Sequence, residues 1–205
     1  MARTRSGRPA LNDEAILAAA REVFVADPGA PVSAVGERAG VGMSALYRRY
    51  PSKEDLLRRL CADGLATFAA AVEAALEDEG DPWIAFVEFM RRIVDADTHS
   101  LTLRLAGTFT PTEELYREAE RSQAMTVRLF DRTKAAGAIR PDVRVDDLAF
   151  VLEQVASVRA ADPLRTNRLR HRYLALHLDA LHAPSPVPLP GPPPTWEDLQ
   201  ARWAP

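Results

Sequence analysis

Residues 39–57 read AGVGMSALYRRYPSKEDLL, and the rest of the chain is arranged around them. Val32, Val35 and Ala39 recur at helical spacing. Gly40 follows where a left-handed residue closes a helix, so a helix of about two turns ends there. Val41 is a small hinge, and Gly42 is an N-cap weaker than Ser or Asn. In the next helix Leu46 and Tyr50 lie one turn apart and pack inward, while Ser44, Ala45, Arg48 and Arg49 fall off that face. Pro51 stops this helix, and Ser52 with Asp55 three residues on is the capping signature of another beginning at Lys53. Two helices joined by a short glycine turn form a helix-turn-helix, whose second helix enters the DNA major groove.

Lys53 bears on the same surface. A cation in the first turn of a helix opposes the macrodipole, at a cost of about 0.3–1 kcal/mol. A docked phosphate reverses that sign, because the free N–H groups also favour an anion. With Tyr47, Arg48 and Arg49 beside it, Lys53 reads as a phosphate contact, against the alternative of a solvated lysine.

On these residues the stretch resembles the DNA-binding motif of the TetR family of one-component bacterial transcription regulators. The resemblance covers about residues 12–60, and LYRRYPSKEDLL with the Gly-Val turn before it is specific. It implies an all-helical chain: an N-terminal three-helix head that binds DNA, then a larger helical domain that binds a small-molecule effector and dimerises through its last helices. Carried over by position, Met43, Ser44, Ala45 and Tyr47 approach bases from the recognition helix, with Gly42 at its start. Arg48, Arg49 and Lys53 lie near phosphates, and Ser33 reaches either. Pro31 and Gly42 stand where the family often has a hydroxyl, so both helix starts lack a side-chain cap. Met43 and Ala45 offer apolar contact, for example to thymine methyls.

The composition agrees with a helical globular protein. The chain has 205 residues, 47% of them hydrophobic, and no run of 18 apolar residues, which argues against a membrane span. The opening MARTRSGRPALNDE lacks an apolar segment and so reads as cytoplasmic rather than secreted. The single cysteine, Cys61, excludes an internal disulfide and reads as a small core hydrophobe. Net charge is −3 but unevenly placed: ten Lys or Arg stand against seven Asp or Glu through residue 60, and sixteen against twenty-two beyond it. A basic head on an acidic body fits a DNA reader.

Four regions follow. Residues 1–11, with Arg3, Arg5 and Arg8, form a basic arm that either adds phosphate or minor-groove contacts or is inert. Residues 12–52 form the head, with Asn12 capping a first helix to about Asp27. Residues 53–183 form the body, entered through one long helix to about Asp78 that can carry displacement to the head. Further helices are expected near 83–96, 100–106, 113–136, 145–161 and 164–182. The last of these is apolar on more than one face, which calls for a second subunit and a symmetric four-helix interface. Residues 184–205 form a tail with seven prolines in the eleven residues from Pro184, ending in a short helix after Thr195. Trp196, Leu199 and Trp203 share a face of that helix, which favours docking onto the body or the partner subunit over a free partner-binding peptide.

An effector pocket is implied by the resemblance, expected between the helices at 83–96, 113–136 and 145–161. Its candidate lining is Phe86, Met90, Tyr116, Gln123, Met125, Phe150 and Gln154. Histidines at 171, 177 and 182 have no i, i+4 partner, so no metal site is expected, and no cofactor either. There is no phosphate loop or nucleophile elbow to suggest an enzyme. The reading is a homodimeric, ligand-responsive repressor of a pseudo-palindromic operator. Its rivals are a ligand-independent architectural DNA binder and a helical small-molecule-binding protein or enzyme.

Overall fold

The structure is a computed structural model that describes residues 7–184 and 187–201, with side chains described from residue 13 onward except those of 102 and 103. Ten helices make up the described residues, in the expected order.

Helices α1 (Gly7–Ala26), α2 (Val32–Ala39) and α3 (Met43–Arg49) form the head. They close around Phe24, Val35 and Leu46, with Ile16, Ala20 and Tyr50 beside them. Gly40 adopts φ 66°, the left-handed conformation expected at the end of α2, and its N–H donates back to Glu37 and Gly36 carbonyls. Gly36 is close-packed as well: a Cβ there would meet the Val41 carbonyl oxygen at 3.1 Å and the Met43 sulfur at 3.2 Å. Pro31 and Gly42 provide no side-chain cap, as their types dictate.

The start of the first helix differs from the sequence reading. α1 begins at Gly7, so Asn12 lies inside the helix and residues 7–11 belong to it. Pro9 sits in the first turn, where the N–H it lacks would have no helical acceptor. Arg3 and Arg5 of the arm lie outside the described residues.

α4 (Lys53–Glu77) runs unbroken through Gly64 for 25 residues, about 38 Å at 1.5 Å per residue. Ser52 caps it, accepting from the Asp55 N–H, and at the far end Arg132 donates to the carbonyls of Ala75, Leu76 and Asp78. Those are the acceptors a helix end leaves unpaired, and a cation is favourable there.

The body is built from α5 (Pro82–Ala96), α6 (Thr98–Leu105), α7 (Glu113–Ala135), α8 (Asp147–Ser157) and α9 (Pro163–Leu181). Caps by Asp81, Thr112 and Asp162 start α5, α7 and α9. Phe86, Phe89, Met90, Ile93, Leu129 and Leu174 form its core. α6 does not belong to this core. Its Leu101 and Leu105 are buried with the head, against α1 and α4. Arg21 strengthens the junction by donating to the Ala96 carbonyl at 3.1 Å.

α8 ends at Ser157, earlier than the pattern to about 161 suggests, because Arg170 takes its last carbonyls. The Arg170 guanidinium, 6% exposed, donates to Ala156 O at 2.8 Å and Val158 O at 3.2 Å, and pairs with Asp97 at 2.7 Å. One buried cation thus joins α8, α9 and the α5–α6 corner. Replacing Arg170 with Ala strands the Asp97 carboxylate and these carbonyls, so the variant is expected to lose about 3 kcal/mol of unfolding free energy, read from urea denaturation.

Candidate functional site

Two regions carry candidate chemistry, the outer face of the head and a cavity in the body. On the head, α3 presents Ser44, Tyr47 (48% exposed) and Arg48 to solvent, while Leu46 and Tyr50 anchor it from behind. Gly42 is exposed at its start, and Ser33 is half-buried in the first turn of α2. Met43 and Ala45 are half-buried, Met43 packing against the head core.

The other two cations are already engaged. Arg49 forms a two-pronged pair with Asp13 of α1, Nε to Oδ1 at 2.9 Å and Nη2 to Oδ2 at 2.7 Å. The Tyr50 hydroxyl donates to the same carboxylate at 2.6 Å. Lys53 Nζ donates to the carbonyls of Pro28 and Ala30, both at 2.8 Å, and lies 5.1 Å from the Phe24 ring centre. The lysine that seemed misplaced at a helix N-terminus therefore staples the α1–α2 turn to α4. Two carbonyl dipoles and a ring face offset its unfavourable position. Arg48 has no ion-pair partner among the described residues.

The cavity encloses about 530 Å³, the size of a site for a drug-sized ligand. Its walls come from α4 (Cys61, Gly64, Leu65, Phe68), α6 (Leu101), α7 (Leu115 to Gln123), α8 (Leu148, Leu152) and a last short helix, α10 (Trp196–Gln200). Of the seven expected lining residues, Tyr116 and Gln123 are on the wall. Phe86, Met90 and Met125 are core instead, because α5 is wedged between α4, α7 and α9 and has no free face toward the cavity. Phe150 and Gln154 lie on other sides of α8 and off the lining. The cavity sits one helix nearer the head than expected, with α6 in place of α5. Cys61 is in its wall, its thiol pushed up to about 12 by burial and so unreactive. His99 is also there, burial pushing it down to about 4 and keeping the imidazole neutral.

Sequence reading passed over His99, Asp146 and Ser122, which share this wall. None forms a motif. The signal the sequence carries is the Leu101–Leu105 pair, one helical turn apart in the helix expected near 100–106.

A solvent-facing second helix of a helix-turn-helix, on a head joined through one continuous helix to a hollow helical body, is the arrangement the family resemblance requires. Residues 16–60 match the profile of bacterial regulatory proteins of the tetR family, and residues 81–183 match the SbtR-like transcriptional regulator C-terminal domain. The chain belongs to the TetR family of transcriptional regulators. Among solved structures it is similar to the TetR regulator SCO0520 of Streptomyces coelicolor, at 28% identity over 84% of this chain and 99% of that one, with a TM-score of 0.58. A TetR regulator of Mycobacterium vanbaalenii is 26% identical over 85% and 96%, with a TM-score of 0.57. The ketosteroid regulator KstR2 of Mycobacterium tuberculosis shares the fold at 20% identity over 89% and 98%, with a TM-score of 0.62. No curated protein matches the chain. As a TetR-family member it is a ligand-responsive, DNA-binding transcription regulator, of a family whose members bind operators as dimers. No helix among the described residues is long and apolar enough to cross a membrane. The tail beyond residue 183 falls outside both matched regions.

The Asp13–Arg49–Tyr50 cluster gives this TetR-family head a pH signature. The hydrogen bond from Arg49 is the main cause lowering the Asp13 carboxyl from 3.8 to about 2, while burial and Asp13 push Tyr50 up to about 12. A lowered carboxyl stabilises the fold above its ordinary value and loses that contribution as pH falls toward about 2. The chain should therefore exceed Asp13→Asn in stability at pH 7, and the gap should close between about pH 4 and pH 2 in urea midpoints.

Proposed function

We propose that the chain is a homodimeric repressor whose two heads bind a pseudo-palindromic operator, and whose DNA affinity is set by a small molecule held in the body cavity. The observation that supports this most is the double use of α6. Leu101 lines the cavity, and the same side chain is buried in the head core beside α1 and α4. A ligand that displaces α6 or the adjoining turn of α4 therefore moves the head relative to the body. It shifts the DNA-binding equilibrium by its difference in affinity for the two arrangements.

In this reading the head is residues 7–52, and α4 is both its support and its link to the body at 53–183. Ser44, Tyr47 and Arg48 meet the DNA, Gly42 lets the backbone approach, and Ser33 adds a contact from α2. Met43 and Ala45 contribute apolar contact at the edge of that surface. Arg49 and Lys53 serve chiefly as positioning residues: one holds α3 on α1, the other holds the α1–α2 turn. Their approach to phosphate is through the shape they keep.

The dimer is supported by the two-sided α9. Leu174, Leu178 and Leu181 are buried in the body, while Tyr173 and Leu176, the latter 54% exposed, face outward with half-buried Leu169. A two-fold packing of α8 and α9 against their copies covers that face. It sets two heads for half-sites about 34 Å apart or a multiple of it. The chain acts by binding rather than catalysis, in the cytoplasm where its operator lies.

Fluorescence anisotropy on a selected operator tests both parts. Arg48→Ala should weaken binding across sequences and lower the slope of log K against log salt by about one; an unchanged affinity and slope overturns the proposed DNA face. Leu176→Glu should yield a monomer by sedimentation and abolish tight operator binding, and a dimer that still binds tightly overturns the proposed interface.

A further inference from the structure

We infer, building on the reading of the cavity as the effector site, that its ligand is a lipophilic cation: a protonated amine or quaternary ammonium on an apolar, ring-containing body. The body of the ligand is called for by Leu65, Phe68, Phe109, Leu115 and Trp196 on the walls. Its charge is called for by the polar groups among them. Asp146 and Glu120 line the cavity, as does Glu153, and no Lys or Arg is among the described lining residues.

Among the described residues the Asp146 carboxylate accepts from a neutral donor, Gln123 Nε2, at 3.3 Å and forms no ion pair. Burial first, and then the neighbouring Asp147 and Asp198, push its carboxyl above the ordinary value, so positive charge placed there is favourable. Glu120 forms no ion pair among the described residues. Ser122, 2% exposed and lining the same cavity, has an Oγ with no hydrogen-bond partner among the described residues, leaving one more polar group for a ligand to satisfy. An anionic ligand would meet two or more carboxylates and a neutral His99, with no Lys or Arg among the described lining residues to balance it.

Three dyes separate charge from fit. Rhodamine 6G and fluorescein share a xanthene frame but carry opposite charge, and Nile red is neutral. The full chain should bind rhodamine 6G at least tenfold more tightly than fluorescein. Asp146→Asn with Glu120→Gln should cut rhodamine 6G affinity about tenfold and leave Nile red unchanged. Ala119→Trp, which fills the cavity and whose fold is checked by circular dichroism, should abolish binding of both. Equal affinity for the two xanthenes, or a preference for fluorescein, overturns the charge inference while Nile red and Ala119→Trp still support the cavity as the site. Failure of every dye to bind, or binding indifferent to Ala119→Trp, overturns the effector-site reading along with it.

A separate observation concerns the tail. Arg140, buried and paired with Asp142, donates to the Val187 carbonyl at 2.6 Å, and Asp142 accepts from the Leu189 N–H at 2.8 Å. This clamp fastens a strap that carries Thr195, which caps α10 reciprocally with Asp198, and places Trp196 and Leu199 on the cavity wall. The structure assigns residues 187–201, which neither family profile covers, as the outer wall that retains the ligand. Stopped-flow release of rhodamine 6G should be at least tenfold faster both in Trp196→Ala/Leu199→Ala and in Asp142→Ala, which opens the clamp without altering the wall. Release at the unaltered rate in both, or no dye retained by the unaltered chain, overturns this assignment.

Discussion

Leu101 is shared between two packing problems, and the rest of the molecule depends on that sharing. No described side chain of its helix α6 belongs to the body core that α4, α5, α7, α8 and α9 build. It lies across the junction, closing the cavity on one side and completing the head core on the other. Close-packed interiors move as units rather than deform smoothly, so a ligand that changes the seat of α6 has few ways to do so without tilting α1 and α4. The hollow body and the reading head are therefore one mechanical problem, although separate hydrophobic clusters hold each together.

Three cations in this chain work as clamps on helix ends and junctions. Arg132 collects the final carbonyls of α4, Arg170 those of α8, and Lys53 two carbonyls of the α1–α2 turn. Each satisfies acceptors that a helix end or turn leaves open, and each reaches across to a different element. The arrangement lets short helices meet at angles without burying unsatisfied backbone. It also explains why cations that look available on the head in one dimension, Arg49 and Lys53, are bound to its own scaffold in three.

That difference marks the limit of what the sequence made legible. The helix order was readable because caps and apolar periodicity are local: Gly40, Ser52, Thr112, Asp162 and Thr195 each stop or start a helix where their chemistry requires. The outward face of α3 was readable because Leu46 and Tyr50 fix its inner face. The cavity was readable only in part: α7 and α8 line it where they were expected, but α6 stands in place of α5. Phe86, Met90 and Met125 have the composition of a pocket wall and the position of a core, and only the seat of α5 between α4, α7 and α9 separates the two. In the same way His99 and Asp146 come to line one cavity through the packing of α6, α7 and α8, an arrangement no short spacing encodes.

The strap held by Arg140 and Asp142 gives this protein an unusual freedom of inheritance. Trp196 and Leu199 stand on the cavity wall but outside both core clusters, so exchanging them alters the space inside without cutting a hole in either core. Most walls of a buried site are also load-carrying parts of the fold, and their drift is restrained by stability. Here one wall is a segment outside both cores, joined to the body by polar contacts at Val187 and Leu189, and its composition can change without disturbing either core. On the proposed reading, substitutions at residues 187–201 can therefore change what the cavity accepts while the head, the junction helix and both cores stay as they are.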